Sequence, residues 1–395
     1  MIKLQTTNNS CSCWLRVLCI GALVSAYARG EDVDFALIGD FGVAARKGGV
    51  VDLIESWKPK FIVTLGDNSY VKSNESYAKL IAPMFQSYID KGDFYPCLGN
   101  HELHYAGGGI QPGRWQACVA ALKPPQGPGQ PGEGRWYDFK RGPIHFFVIN
   151  SNTEGPDSRK FTDKQGDWLR DGLRASRNNN EPFRVVVFHH PPYTMGVKKV
   201  DLGMQWPFKE WGASVVISGH DHNYQVLERR GLRYVVNGLG GEDDYPVNTG
   251  SKIAGVKLED SFPQKVRQGY YGALKGHASA ESLELTMVVQ KRKPDGQWDA
   301  KTSPSIVIKS QTALPAPEYR DLMKGSSGTD VAAWQDFLFE KGLLGDKPDG
   351  AFGNHTQSAT LAYQKAAGVP SSGILDAATR KKAGEEGFIP VEKPD

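Results

Sequence analysis

From residue 31 onward, short apolar runs alternate with amphipathic stretches. Val33-Asp34-Phe35-Ala36-Leu37-Ile38 reads as a strand, residues 49–57 as a helix, and residues 61–65 as a strand again. Residues 77–89 carry helical spacing. Further strands are expected over residues 94–98, 144–149, 185–188 and 215–217, with helical patterns around Trp168-Leu169 and residues 206–211 between the last three. Strands alternating with helices predict an α/β layered fold. Residues 234–237, 283–290 and 305–309 read as closing strands, with Pro294-Asp295-Gly296 as the turn between the last two. Residues 106–134 break the alternation with a Gly-Gly-Gly run and a Pro/Gly-rich tract, and predict a long mobile surface loop that edges the site.

Two prolines in QTALPAPE, residues 311–318, predict a stiff linker. After it, residues 329–341, 356–367 and 376–382 have helical patterns, with Thr329 and Asp376 as N-caps. Val331, Trp334, Leu338, Ala359 and Tyr363 recur at helical spacing and are expected to form a small core.

Composition adds limits. The chain has 395 residues, enough for two or three domains, and 39% hydrophobic and 23% charged residues fit an ordinary globular protein. A net charge of +3 gives no reason to expect nucleic acid or a strongly acidic partner. The N-terminus differs: Lys3 and Arg16 flank a polar start, residues 17–26 are apolar or small, and Ala26-Tyr27-Ala28 ends the run. This reads as a secretory signal peptide over residues 1–28, the alternative being an anchor that stays attached. The apolar run falls short of the roughly 20 residues a span needs. After cleavage no transmembrane segment is expected. Cys11, Cys13 and Cys19 would leave with the signal, so only Cys97 and Cys118 remain, either paired or as buried thiols.

The chemistry lies in the residues just past the strand ends. Ile38 is followed by Gly39-Asp40-Phe41-Gly42, Leu65 by Gly66-Asp67-Asn68-Ser69-Tyr70, and Leu98 by Gly99-Asn100-His101-Glu102. Phe188 is followed by His189-His190-Pro191, and Ile217 by Ser218-Gly219-His220-Asp221-His222. In layered sheets the strand C-termini form the ligand crevice. Glycines before four of these sets are expected to turn the backbone and bring the side chains inward. Asp40, Asp67, Tyr70, Asn100, His189, His220 and His222 combine carboxylates, imidazoles and an amide oxygen, which suit transition metals. They are too many for one ion with an open position, and fit two ions roughly 3.5–4 Å apart with a shared carboxylate. Such pairs hydrolyse phosphate esters or peptides. His190 and His104 each sit beside a better-placed residue and are not expected to be ligands.

In this order GDFG, GDNSY, GNHE, HHPP and GHDH resemble the calcineurin-like metallophosphoesterases, and Tyr70 in the second set resembles the purple acid phosphatases among them. The resemblance covers roughly residues 31–310 and implies an α/β fold with a four-layer β-sandwich of two mixed sheets flanked by helices. It implies a ferric ion on Asp40, Tyr70 and His222 and a divalent ion (iron, zinc or manganese) on Asn100, His189 and His220, with Asp67 bridging. It leaves Asp221 as a non-ligand and gives His101 a catalytic and substrate-binding role, with Asn100 also at the substrate. One departure stands out. These enzymes often carry another histidine a few residues after the fourth set, and residues 193–199 hold none. Lys198 or Lys199 is the available cation there, or both are solvated surface lysines.

LMKGSSGTDVAAWQDFL, PDGAFGNHTQSATLAYQKAAGV and GILDAATRKKA, within residues 319–385, resemble the three-helix peptidoglycan-binding domain of bacterial wall proteins. His355 there is expected to be a cap-side polar residue. The joint expectation is an exported phosphate monoesterase, acting through a metal-activated water and tethered to the bacterial cell wall. A phosphodiesterase for nucleotides or wall polymers, or a non-catalytic wall-binding protein, are the competing readings.

Overall fold

The structure, a computed structural model, describes residues 31–104, 109–153, 157, 160, 162–263, 268–310, 319–386, 388 and 390. The expected signal peptide and the 311–318 linker lie outside these residues. Among the described residues the strands in chain order are β1 Val33–Ile38, β2 Phe61–Thr64, β3 Phe94–Tyr95, β4 Tyr137–Arg141, β5 Ile144–Val148, β6 Phe183–Val187 and β7 Val215–Ser218. They continue with β8 Tyr224–Arg229, β9 Leu232–Asn237, β10 Lys257–Phe262, β11 Tyr271–Ala278, β12 Ser282–Arg292, β13 Trp298–Thr302 and β14 Ile306–Lys309. One mixed sheet has the order β13-β12-β11-β1-β2-β3 with β14 on β12, and the other has β10-β8-β9-β7-β6-β5-β4.

Period-two patterning makes these strands a sandwich. In β1, Phe35 and Leu37 face one way, and they share a buried cluster with Phe61 and Val63 of the same sheet and with Phe146, Val185 and Val215 of the other. Ala36 and Ile38 face the other way and pack with Ile62 and with Val50 and Ile54 of the helix Val50–Trp57. On the second sheet Phe147, Val186 and Val216 turn outward onto Leu169 and Leu173 of the helix Lys164–Asn178. Helix, sheet, sheet and helix give the expected four layers.

Some local expectations need correction. The strand expected over 94–98 stops at Tyr95, because Pro96 interrupts it and the Cys97 N–H donates to Thr64 Oγ1 at 3.0 Å. The helical stretch 77–89 breaks around Pro83 into Tyr77–Ile81, Ala82–Met84 and Gln86–Lys91. The Pro294-Asp295-Gly296 turn leads into β13, not directly into β14. Residues 109–134 are not all loop: Arg114–Leu122 is a helix whose Cys118 and Leu122 enter the outer core of the first sheet. Trp115, Cys118, Val119 and Leu122 carry its 3.6-residue period, hidden by the Gly/Pro tracts on either side. Cys97 and Cys118 are free buried thiols that belong to the clusters on opposite faces of the first sheet.

In the C-terminal region the helices Thr329–Glu340, Asn354–Ala367 and Ala377–Glu385 surround the expected core of Val331, Trp334, Leu338, Ala359 and Tyr363. Asp376 caps the third helix, its side chain accepting the Thr379 N–H at 2.8 Å. Thr329 is not a cap: the Ala332 N–H reaches the Gly328 carbonyl at 3.0 Å, so the helix starts one residue earlier than expected. His355 pairs with Asp346 on the surface.

One polar cluster locks the edge of the second sheet. His145 on β5 holds Asp138 of β4 at 2.6 Å and Glu181 at 2.7 Å, one on each ring nitrogen. Two carboxylates that only accept require both nitrogens to donate, so the ring is an imidazolium. Burial opposes that charge, but Asp138 and Glu181 outweigh it and raise the His145 pKa above its usual 6.5. This stabilisation is complete below about pH 6.5 and disappears as pH rises through the elevated folded value. Replacing His145 with Gln is expected to cost about 2 kcal/mol at pH 5.5 and much less near pH 9. Urea unfolding of both proteins at the two pH values reads the difference; an equal cost at both would refute the charged-ring assignment.

Candidate metal centre

Parallel pairing of β1 with β2 and β2 with β3, and of β6 with β7, sends their C-termini to common edges. The five polar sets follow these strands and meet at one place. Three of the residues that converge there, Asp40, Asp67 and His220, hold φ of 54°, 52° and 69°. Non-glycine residues rarely adopt this left-handed region, and such strain clusters at functional sites. The turns are thus made by the polar residues themselves, which corrects the role expected of the glycines before them. Among those, only Gly66 has a positive φ. Gly99 and Gly219 serve close approach instead: an added Cβ would lie 2.2 Å from Asp67 Oδ1 and 2.6 Å from Asp40 Oδ2, respectively.

The side chains form two joined donor sets. Tyr70 Oη lies 3.2 Å from Asp40 Oδ1, 3.3 Å from Asp67 Oδ2 and 3.3 Å from His222 Nε2. His189 Nε2 lies 3.1 Å from Asn100 Oδ1, 3.1 Å from His220 Nδ1 and 3.3 Å from the same Asp67 Oδ2. Donors held at about 2.0–2.2 Å from one ion stand about 3 Å apart, so both sets have the spacing of a coordination shell. Asp67 Oδ2 belongs to both, while Asp67 Oδ1 accepts the His101 N–H at 2.8 Å. All seven residues expected as ligands therefore come together.

Protonation agrees with cation binding. His189 Nδ1 and His222 Nδ1 face the carbonyls of Leu65 at 2.8 Å and Asp243 at 2.9 Å. A carbonyl only accepts, so these Nδ1 atoms carry protons and both Nε2 atoms are directed inward, where a bound cation would take the place of any proton. Burial tends to raise the pKa of Asp67, but His189 and His101 pull it well below the usual carboxylate range. In turn Asp67 and Asp40 overcome burial and raise His189 to about 9. Burial, aided by His189 and His190, depresses His220 strongly. Tyr70 is raised well above 10 by burial and by both carboxylates. Two buried carboxylates demand positive charge, and a phenolate beside them needs a cation. The donor set fits a pair of metal ions.

Around this core sit residues that the motifs do not single out. Glu102 is fully buried and accepts the N–H groups of Asp67 at 3.0 Å, Asn68 at 3.0 Å and Gly99 at 2.7 Å, and the Tyr77 hydroxyl at 3.1 Å. Burial and Asp67 raise its pKa to about 7. Tyr245 stacks on the His222 ring with centroids 4.4 Å apart. Arg114, from the unforeseen helix, donates to the carbonyls of His101 and Ser69. Glu102 was visible as the last letter of GNHE, whereas Tyr245 and Arg114 had no signal beyond their distant positions in the chain. His101 lies over the centre, its ring 4.3 Å from that of Tyr70 and its Nε2 3.8 Å from Asp67 Oδ2. Burial and His189 lower its pKa against the pull of Asp67 and Asp40. Its Nδ1 is buried without a hydrogen-bond partner among the described residues. His190 is nearer than expected: it offers a nitrogen within 4.8 Å of nitrogens of His189 and His220, while its Nδ1 meets Ser151 Oγ at 2.8 Å. His104 instead forms a backbone bridge with Ile110.

Known proteins resemble the chain in two regions. Residues 33–224 match the calcineurin-like phosphoesterase family, and residues 327–382 match the putative peptidoglycan-binding domain. A purple acid phosphatase of Glycine max is 24% identical over 272 residues, 63% of this chain and 58% of that protein. Purple acid phosphatase 5 of Arabidopsis thaliana is 23% identical over 311 residues, 73% of this chain and 71% of that protein. The solved purple acid phosphatase PPD1 of yellow lupin, Lupinus luteus, superposes with a TM-score of 0.53 at 15% identity, over 74% of this chain and 57% of that one. The chain thus spans somewhat more than half the length of the soybean and lupin proteins. No helix among the described residues is long and apolar enough to cross a membrane.

Proposed function

We propose that this chain, which joins a calcineurin-like phosphoesterase domain to a peptidoglycan-binding domain, is an exported binuclear-metal hydrolase of phosphate monoesters held at the bacterial cell wall. The observation that carries the reading is the sharing of Asp67 Oδ2 between the donor set of Asp40, Tyr70 and His222 and that of Asn100, His189 and His220. The first set, with a hard phenol oxygen and two carboxylates, suits a ferric ion; the second, with an amide and two imidazoles, suits divalent iron, zinc or manganese. When bound, such a pair supplies a water that ionises near neutrality and positive charge for the phosphoryl oxygens.

The chain's own groups do the rest. Asn100 and His101 stand side by side after β3, so the Asn100 amide nitrogen and the His101 ring orient the phosphoryl group. His101, neutral near pH 7 in its buried position, donates to oxygen that gains charge as the ester bond breaks. Export rests on the signal pattern of residues 1–28, and the wall tether on residues 319–385, which concentrate the enzyme near wall-associated phosphoesters. Nucleic acid has no assigned place in this reading.

One experiment tests both halves. Metal-replete full-length protein and a form ending at Ser310 are assayed on nitrophenyl phosphate and bis-nitrophenyl phosphate, with and without chelator, and mixed with purified wall. Both forms are expected to cleave the monoester faster, to stop on metal removal, and to differ only in wall retention. Faster diester cleavage would make the chain a phosphodiesterase; no cleavage of either would return it to a wall-binding protein. Equal wall retention would remove the tether.

A further inference from the structure

Of the two lysines that follow the fourth motif, the structure singles out one. Lys198 is half-buried and Lys199 is exposed. The Lys198 ammonium lies 5.5 Å from the centroid of the Tyr245 ring, the ring that stacks on His222. Lys198 therefore stands beside the ring that packs on His222, at the rim of the first donor set.

Its position is built from the GHDH motif itself. Asp221, the residue between the two histidines, turns away from the metal centre and accepts the Thr194 hydroxyl at 2.5 Å. The backbone amides of Val197 and Lys198 approach the same carboxylate. The loop is drawn in so tightly that a Cβ on Gly196 would sit 2.0 Å from Asp221 Oδ2. The Asn248 N–H donates to the Met195 carbonyl at 2.7 Å, which ties the same loop to the segment after Tyr245. Asp221 thus anchors a lysine loop while its neighbours His220 and His222 face the candidate metal centre.

We propose that Lys198 is a substrate-binding residue that holds the phosphoryl group and favours the dianion of a monoester over the monoanion of a diester. This rests on the phosphoesterase reading and deepens it. An ammonium beside the centre gains more from two negative charges than from one. Its flexible stem serves as a point charge on phosphate, with no need for bidentate geometry.

The test uses metal-replete full-length protein and the variants Lys198→Ala, Lys198→Arg and Lys199→Ala. Inorganic phosphate binding is measured by calorimetry, and kcat/KM on the monoester and the diester by rates. Lys198→Ala is expected to weaken phosphate binding about 10- to 100-fold and to lower the monoester-to-diester ratio by a similar factor. Lys198→Arg is expected to recover most of both, and Lys199→Ala to match the parent. Unchanged phosphate affinity in Lys198→Ala, or an equal loss in Lys199→Ala, would overturn the assignment. Phosphate affinity reads Lys198 even in a protein that turns over neither ester, so failure of the phosphoesterase reading is told apart from failure of this one.

Discussion

Replacing Asp67 with Asn is expected to remove at least one of two metal ions and to lower turnover on the order of 10³-fold or more, with the fold intact. The substitution keeps size and shape. Asn Oδ1 still accepts the His101 N–H, now 2.8 Å from Asp67 Oδ1. What changes is Oδ2, which faces Tyr70 Oη at 3.3 Å and His189 Nε2 at 3.3 Å. An amide NH₂ there offers no lone pair and no charge, so both donor sets lose their common member. The other candidate ligands belong to one set each, and their loss is expected to affect one ion more than the other. Metal content by emission spectroscopy and kcat on the monoester measure the effect. A folded Asp67→Asn protein with two ions and parent activity would sink the shared-carboxylate assignment.

The site was more legible than the frame around it, for a physical reason. A metal shell needs particular atoms at the ends of particular strands, and the candidate ligands Asp40, Asp67, Asn100, His189, His220 and His222 follow apolar runs that are themselves easy to read. The inner strands β1, β2, β6 and β7 are buried on both faces apart from Asp34, and read as mostly apolar runs of Val, Ile, Leu and Phe in which Asp34 and Arg184 are the charged residues. By contrast β4, β8, β10, β11 and β13 carry charged residues at intervals, such as Asp138, Glu228, Asp260, Lys275 and Asp299, and their pairing is settled by distant neighbours. The helix Arg114–Leu122 was masked by the prolines and glycines that flank it. Residues that act through contact alone left no local pattern: Tyr245 reaches His222 from 23 positions away in the chain. The role of Asp221 is similar. Its place between two histidines says only that it alternates away from them, and the loop it anchors became visible in three dimensions.

Glu102 is expected to be the second most sensitive position although it touches no metal. Its Oε2 accepts from Asp67 and Gly99, and its Oε1 from Asn68 and Tyr77. One carboxylate thereby fastens the loop after β2, which carries Asp67 and Tyr70, to the loop after β3, which carries Asn100 and His101. Glutamine cannot replace it. Whichever way the amide turns, its NH₂ meets at least one backbone N–H that can only donate, and a buried donor is left unpaired at a cost of about 1–3 kcal/mol. The loops should then part enough to disturb both shells, since outer-shell partners typically control metal affinity by about 10–100-fold. Glu102→Gln is therefore expected to fall by that factor in metal affinity and kcat/KM, and Glu102→Ala further. The two roles of the residue separate at saturating metal. If Glu102 only supports the fold, thermal unfolding shifts while metal affinity and turnover per bound ion keep parent values. If it positions the ligands, metal affinity falls at temperatures where the variant is wholly folded, and excess metal restores occupancy before it restores kcat.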